Sequence, residues 1–136
     1  MTPADGGHEL PIESNDGVVR ARQLVRTLAQ ECRLSLVEQT KLVTAASELA
    51  RNTLTYGGGG MMIAAVVEVH GRRGVRAVFT DQGPGILDLE LALTDGWTSG
   101  SGMGLGLSGS RRLVDDFTIE TAPGQGTTVT IAKWAR

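Results

Sequence analysis

The hydrophobic positions in the first part of the chain are spaced as in an amphipathic helix. One series steps by three or four residues, as a helix with one buried face requires: Val18, Ala21, Val25, Leu28 and Cys32. Asp16 stands just before this series and is predicted to be the N-cap. Upstream, residues 8–12 predict an edge strand, because Pro11 has no amide donor and is tolerated only at an edge.

A second helix is predicted to begin at Ser35. Glu38 follows three residues later, which is the capping-box pattern in which Ser and Glu satisfy each other's backbone donors. One face of this helix is predicted to carry Leu36, Thr40, Val43, Ser47, Ala50 and Leu54. The four glycines at 57–60 then end the helix and turn the chain.

Strand patterns dominate the second half of the chain. Residues 61–70 are rich in Val and Ile and predict a buried strand, residues 71–74 a hairpin turn, and residues 75–81 the returning strand. Further on, the pattern predicts a short helix over 86–93, a helix over about 105–116, and a closing hairpin of strands 117–122 and 127–134.

The order of these elements predicts the fold class. Helices grouped against a sheet rich in hairpins indicate an α/β two-layer sandwich, in which a mixed, mainly antiparallel sheet is covered on one face by about three helices. The chain shows no internal repeat and no linker composition. Residues 1–136 are therefore expected to form a single domain.

Composition excludes several classes of protein. The formal net charge of −2 and pI near 5.6 give no electrostatic footprint for nucleic acid. The lone Cys32 excludes an internal disulfide and a multi-cysteine metal site. The longest apolar run, residues 61–67, is far shorter than the ~20 residues of a membrane span, and the first residues contain no apolar signal segment. We therefore expect a cytoplasmic protein without membrane or nucleic-acid partners.

Glycine is the one residue type in clear excess. The chain has 19 glycines in 136 residues, and most of them lie between Gly57 and Gly126. The hydrophobic content of 40% is that of a globular protein, so the glycines do not indicate disorder. Concentrated in one stretch, they indicate a backbone that approaches something closely.

Glu48 and Asn52 are the first candidate for chemistry. They lie four residues apart on the second predicted helix, so both side chains leave the same face. A carboxylate beside an amide oxygen can hold a hard cation and polarise a hydroxyl, although such a pair is also typical of a solvated helix face. Asn52 is a poor helix former in an otherwise good helical stretch, which favours a functional position.

Asp81 and the glycines after it form the second candidate. The Asp81 carboxylate ends a strand and can accept a hydrogen bond from an exocyclic amine. Gly83 and Gly85 would let the chain turn closely around a flat ring. The alternative is an ordinary turn in which Asp81 caps its own backbone.

The third candidate is the glycine-rich segment 100–109, GSGMGLGLSG, which leads into a predicted helix. Backbone N–H groups at the start of a helix can bind phosphates. The segment lacks the Lys-Ser/Thr ending of a P-loop, and it follows a loop where the dinucleotide motif needs a strand. A phosphate-binding loop or a mobile lid is the favoured interpretation.

Taken in order, four segments resemble the ATP-binding module shared by gyrase, Hsp90, histidine kinases and MutL, the GHKL family with the Bergerat fold. These segments are SELARN (47–52), DQGPG (81–85), GSGMGLGL (100–107) and GTTVT (126–130). Over nearly the whole chain, the sequence further resembles one subgroup of this family, the switch serine/threonine kinases of bacterial stress signalling. That resemblance is carried by HELPIES near the start, ELARNTLTYGGGG in the middle and AKW at the end.

The resemblance implies a role for each candidate. Glu48 would be the catalytic base for a substrate hydroxyl, and Asn52 a magnesium ligand beside ATP. Asp81 would bind the adenine amine, and Thr128 would support it through a hydroxyl. Gly83 and Gly85 would line the base pocket. The phosphates would be wrapped by Gly102, Met103, Gly104, Leu105 and Gly106. Thr55 departs from the pattern, because many sensor kinases place a basic residue there.

The resemblance also predicts the function. A histidine kinase is not expected, because His8 and His70 both lie outside the predicted helices, and gyrase, Hsp90 and MutL need a further transducer domain. The prediction is a serine/threonine protein kinase using ATP and Mg²⁺. It would phosphorylate STAS-domain scaffold or antagonist proteins and then bind a regulatory phosphatase. The alternatives are a nucleotide-gated binding module without catalysis, and an anti-sigma factor that sequesters a sigma factor.

Overall fold

The computed structural model describes residues 7–85 and 106–135, which form five strands and three helices. In chain order the elements are β1 (His8–Ile12), α1 (Asn15–Glu31), α2 (Leu36–Thr55), β2 (Gly60–Val69), β3 (Arg72–Asp81), α3 (Gly106–Leu113), β4 (Asp116–Thr121) and β5 (Thr127–Trp134). The helix predicted over 86–93 lies outside the described residues. The predicted strand over 127–134 is confirmed residue for residue.

The strands form a single open sheet in the order β1-β2-β3-β5-β4. Every strand pair in the described part of the chain is antiparallel, so the parallel component of the predicted mixed sheet is not found there. Helices α1 and α2 pack on one face of the sheet, and α3 packs against α2. The predicted two-layer α/β sandwich is confirmed, and β1 with Pro11 lies at an edge.

The β2–β3 hairpin turns more tightly than predicted. Its strands pair as far as Val69 and Arg72, so the turn consists of His70 and Gly71 alone, with φ of 53° and 79°. Positive φ at both central residues defines the type I′ turn, whose twist matches that of antiparallel strands. The prediction of a turn over 71–74 was wrong, because residues 72–74 belong to β3.

Helix α1 begins earlier than the sequence pattern predicted. Ser14 is its N-cap, and the Ser14 hydroxyl accepts a hydrogen bond from the Gly17 amide at 3.3 Å. The prediction of Asp16 as the cap was wrong. Asp16 lies in the first turn and forms an exposed ion pair with Arg20 at 2.8 Å. A carboxylate in the first turn is favoured by the helix dipole without being the cap.

Helix α2 begins as predicted but buries a different face. Ser35 is the N-cap and accepts from the Glu38 amide at 3.1 Å. Of the residues predicted to share one face, Leu36 and Thr40 are exposed, whereas Val43 and Ala50 are buried. The residues that α2 buries against α1, the sheet and α3 are Leu42, Val43, Ala45, Ala46, Leu49, Ala50 and Thr53. This face is wide because α2 has neighbours on several sides.

The core lies between the helices and the sheet. Its largest fully buried side chains come from both layers, namely Ile12, Val25, Leu28, Leu42, Leu49, Met62, Val75, Phe79 and Ile131. Cys32 is buried at the end of the α1 stripe, as its helical spacing predicted. Burial raises the pKa of the Cys32 thiol, and the Arg73 charge only partly opposes this. None of the helices described is long and apolar enough to cross a bilayer.

Candidate nucleotide site

Helix α2 presents Glu48 and Asn52 with an unusual feature in common. Both residues are half-buried. The Oε2 atom of Glu48 and the Oδ1 atom of Asn52 are buried without a hydrogen-bond partner among the residues that the structure describes. Burying such an oxygen unpaired costs free energy, about 1–3 kcal/mol for a neutral group and more for a charged one. Two such oxygens one helical turn apart indicate a ligand that satisfies both.

The hydrogen bonds that end α2 use the backbone carbonyl of Asn52 and not its side-chain oxygen. The Asn52 carbonyl accepts hydrogen bonds from the amides of Tyr56 at 2.9 Å and Gly57 at 3.3 Å. On the buried side of the helix, the Thr53 hydroxyl donates to the Leu49 carbonyl at 2.9 Å. The backbone around Asn52 is therefore regular and held, in spite of the low helix propensity of Asn.

Asp81 ends β3 and caps the turn that follows it. Its Oδ1 atom accepts a hydrogen bond from the Gly83 amide at 2.9 Å. This is the self-capping turn that the sequence left open as an alternative. The bond fixes the direction of the carboxylate, so a turn role and a ligand role are compatible in the same side chain.

Glycines allow three segments to meet around Asp81. A Cβ on Gly57 would lie 2.6 Å from Asp81 Oδ2, and a Cβ on Gly83 would lie 2.7 Å from the Gly57 Cα. Gly126, with φ of 77°, places its backbone against the Asp81 carbonyl. The end of α2, the end of β3 and the β4–β5 turn are thereby brought within contact distance. Larger residues at these positions would force the segments apart.

The structure gives Gly83 and Gly85 a more specific role than the sequence did. Both were predicted to line a base pocket. Gly83 packs against the backbone of Gly57, and Gly85, with φ of 75°, packs against the Ala122 carbonyl. The Gly124 amide donates to the Pro84 carbonyl at 2.7 Å, which ties this turn to the β4–β5 turn. These glycines make close contacts within the protein.

The sheet register separates Thr127 from Thr128. Thr127 pairs directly with Asp81, whereas Thr128 pairs with Thr80. Directly paired residues of antiparallel strands point to the same face, and successive residues point to opposite faces. Asp81 shares the helix-covered face with Phe79 in the core. Thr127 therefore lies on the same face of the sheet as Asp81, and Thr128, which the resemblance places beside the adenine, lies on the opposite face.

The remaining predicted phosphate ligands fall mostly outside the described residues. Gly102, Met103, Gly104 and Leu105 lie in the undescribed segment 86–105, and Gly106 is the first residue of α3. Thr55, where a basic residue was expected from the wider family, is the exposed last residue of α2.

Oxygen atoms are available at this site for a hard cation whose remaining ligands are phosphate oxygens. Mg²⁺ prefers oxygen ligands and commonly combines one or two protein ligands with oxygens of a phosphate substrate. The buried Oδ1 atom of Asn52 is a ligand of this kind, and the buried Oε2 atom of Glu48 lies one helical turn away. The described residues contain no group of three or more His, Cys, Asp or Glu that would hold a metal alone. The arrangement fits a metal that arrives with its nucleotide.

A second polar cluster, missed by the sequence prediction, joins the sheet to the start of α2. Lys133 is buried, with its Nζ atom 2.8 Å from Glu38 Oε2 and 3.5 Å from Asp115 Oδ1. Asp115 also accepts from the Trp134 amide at 2.8 Å, and Asp116 accepts from the Trp134 indole at 2.6 Å. Through these contacts the two aspartates hold the end of β5. Sequence spacing contains no signal for contacts between residues so far apart.

Fold and site together define a Bergerat-type ATP-binding domain, with a helix-borne Glu and Asn near a capped Asp-Gly turn. The chain belongs to the family of histidine kinase-, DNA gyrase B-, and HSP90-like ATPases, which matches residues 37–135. Its particular similarity is to serine/threonine-protein kinase RsbT of Bacillus subtilis (strain 168), 40% identical over 88% of this chain and 90% of that protein. The chain is also similar to two anti-sigma F factors. That of Pasteuria penetrans is 32% identical over 83% of this chain and 79% of its own length. That of Bacillus velezensis is 29% identical over 83% of this chain and 81% of its own length.

Solved structures share the fold. The RsbU and RsbW domains of a Mycobacterium tuberculosis protein give a TM-score of 0.62 at 21% identity, over 99% of this chain and 34% of that one. A histidine kinase domain from Erythrobacter litoralis gives a TM-score of 0.52 at 16% identity, over 90% of this chain and 60% of that one. The comparisons confirm the predicted class, an ATP-dependent serine/threonine kinase of the partner-switching type.

Proposed function

We propose that this protein is a cytoplasmic kinase that transfers the terminal phosphate of Mg²⁺-ATP to a serine or threonine of a partner protein. The observation that carries the proposal is the pair of buried oxygens on α2, Glu48 Oε2 and Asn52 Oδ1, which have no described partner. A module that only bound the nucleotide would need the side-chain amide of Asn52 but not the carboxylate of Glu48. A buried carboxylate beside it favours catalysis.

Each residue has a distinct task in this mechanism. Asn52 Oδ1 would hold the Mg²⁺ ion, which would neutralise charge on the phosphates. Glu48 Oε2 accepts the proton of the substrate hydroxyl as the hydroxyl oxygen attacks the terminal phosphorus of ATP, and the bond from that phosphorus to the β-phosphate oxygen breaks so that ADP leaves. The Asp81 carboxylate, oriented by the Gly83 amide, accepts from the adenine amine. Thr127, paired with Asp81, supports the same edge of the base.

The proposed substrates are STAS-domain scaffold or antagonist proteins, and a regulatory phosphatase is the proposed second partner. The resemblance to the switch kinases of stress signalling and the 40% identity to RsbT support both. In this scheme, phosphorylation of the scaffold releases the kinase, which then binds and activates the phosphatase.

The test is transfer of labelled phosphate from ATP to a purified STAS-domain protein. Glu48→Gln is expected to lower the rate by about 10²–10⁴-fold, the usual contribution of a general base, with ATP affinity nearly unchanged. Glu31→Gln, at the exposed end of α1, is the matched control. Asn52→Ala is expected to weaken Mg²⁺-dependent ATP binding. Wild-type transfer by Glu48→Gln would rule out the assigned base.

The second candidate function is an anti-sigma factor, which the identities of 32% and 29% to anti-sigma F factors favour. Retention of a sigma factor by the immobilised protein tests it. If sequestration is the function, Glu48→Gln will retain the sigma factor as the wild type does. If phosphate transfer is the function, STAS-domain proteins will be phosphorylated and no sigma factor will be retained.

A further inference from the structure

Arg51 is the basic residue of α2 that lies nearest in sequence to the proposed catalytic base. It follows Glu48 by three residues and precedes Asn52 by one. Glu48 and Asn52 are half-buried, whereas Arg51 is exposed. Arg51 forms no ion pair with any residue that the structure describes. Its charge is therefore available to a molecule that approaches this part of α2.

Glu48 and Arg51 do not pair with each other, although opposite charges three residues apart on a helix stabilise it by pairing. On the same helix, Glu38 and Lys41 have this spacing, and their charged atoms lie 3.9 Å apart. Glu48 instead has its Oε2 atom buried without a described partner. The carboxylate is turned inward, and the guanidinium of Arg51 stays in solvent.

The order of the side chains around α2 indicates what Arg51 faces. Successive residues of an α-helix are rotated by about 100°, so Asn52 lies about 40° to one side of Glu48 and Arg51 about 60° to the other. In the proposed function, Asn52 serves the nucleotide and Glu48 receives the proton of the substrate hydroxyl. Arg51 therefore lies on the side of Glu48 away from the nucleotide, where the protein substrate must approach.

We propose that Arg51 is a specificity residue, whose guanidinium binds a carboxylate of the protein substrate close to the phosphorylated hydroxyl. A guanidinium presents its donors in a fork that matches the two oxygens of a carboxylate. The substrate class is therefore a protein with an exposed Asp or Glu next in space to its phosphorylated Ser or Thr. This inference rests on the proposed function, because it requires phosphate transfer to a protein.

The test measures phosphate transfer from labelled ATP to a purified STAS-domain protein over a range of substrate concentrations. Arg51→Glu is expected to raise the KM for this protein at least about tenfold through like-charge repulsion, with kcat within about threefold of the wild type. Its ATP affinity, measured by calorimetry, is expected to be unchanged. The matched control is Arg76→Glu, because Arg76 is exposed without a described ion pair on the sheet face opposite to α2.

Charge reversal on the substrate identifies the partner of Arg51. Each exposed Asp and Glu around the phosphorylated residue of the STAS-domain protein is changed singly to Arg. For one of these substrates, the KM with Arg51→Glu is expected to fall at least about fivefold, because the pair is restored with opposite sense. Arg51→Lys is expected to raise the KM by less than Arg51→Glu, since Lys keeps the charge but not the fork.

The outcomes separate this inference from the function on which it rests. A wild type that transfers no phosphate to the STAS-domain protein would overturn both together. Wild-type transfer with an unchanged KM in Arg51→Glu would overturn this inference alone. Weakened ATP binding in Arg51→Glu would assign the guanidinium to the phosphates and overturn it as well. So would the failure of every substrate reversal to lower the KM of Arg51→Glu.

Discussion

Gly57 offers the sharpest test of the nucleotide site, because the structure places it directly against the Asp81 side chain. A Cβ on Gly57 would lie 2.6 Å from Asp81 Oδ2, which is closer than such atoms approach in proteins. In Gly57→Ala, the added Cβ would also clash with the Cβ and Cγ atoms of Asp81, which side-chain rotation alone cannot clear, so the end of β3 must shift and displace the carboxylate. It then loses the bond of 2.9 Å from the Gly83 amide that orients it, and its alignment with the adenine amine is lost as well.

The size of the effect follows from the hydrogen bond. A bond to a charged group contributes about 1.5–3 kcal/mol. Loss of one such bond to adenine corresponds to ATP binding about 10- to 150-fold weaker. Gly57 is not among the residues with positive φ, so alanine there introduces no backbone strain of that kind. The forced shift at the end of β3 is therefore expected to lower the melting temperature as well as ATP affinity, which is why thermal unfolding is measured beside binding.

The assay is isothermal titration of ATP, together with thermal unfolding, for two alanine variants. Gly58 is the matched control, since it has φ of 75° and nothing within 4 Å of an added Cβ. Gly58→Ala is expected to cost about 1–2 kcal/mol of stability through its left-handed backbone and to leave ATP affinity unchanged. Wild-type ATP affinity in Gly57→Ala would refute the assignment of Asp81 to the nucleotide.

The remaining predictions concern the sheet register, the buried cation and the thiol. Thr127→Ala is expected to weaken ATP binding by about 3- to 10-fold and Thr128→Ala to leave it unchanged, as measured by calorimetry; equal effects would contradict the assignment by sheet face. Lys133→Met removes a buried cation and is expected to lower the free energy of unfolding in urea by about 2–4 kcal/mol. Lys41→Met, at a more exposed ion pair of 3.9 Å, is expected to change it by less than about 1 kcal/mol. Because burial raises the pKa of Cys32, the unfolded thiol ionises first as pH rises. Its contribution to stability is therefore complete below the ordinary thiol pKa and is lost as pH rises through the folded pKa. A Cys32→Ala variant is expected to lack this alkaline decline, and an identical decline in the variant would contradict the assignment.

Local pattern was sufficient to predict most of the fold. The capping signal at Ser35 and the glycines at 57–60 bracket α2 correctly, because caps and helix ends depend on residues close in sequence. The prediction failed for the α2 face, where Leu36 is exposed. Its periodicity fits more than one stripe, and only the position of α1, α3 and the sheet decides which stripe is buried.

The sequence was sufficient to predict which segments form the candidate site, but not which of two adjacent residues points into it. Glu48, Asn52 and Asp81 stand out through spacing and chemistry, and the structure gives the first two a buried oxygen without a described partner and the third a capped turn. The choice between Thr127 and Thr128 depends on register, because a shift of one residue moves a side chain to the other face of the sheet. A motif with two adjacent threonines contains no information about that choice.

The same alternation gives the sheet two independent surfaces. Asp81 and Arg76 lie on one strand, but an odd number of positions separates them, so they point to opposite faces. A substitution at the exposed Arg76 is therefore expected to leave the surroundings of the Asp81 side chain, and with them ATP affinity, unchanged.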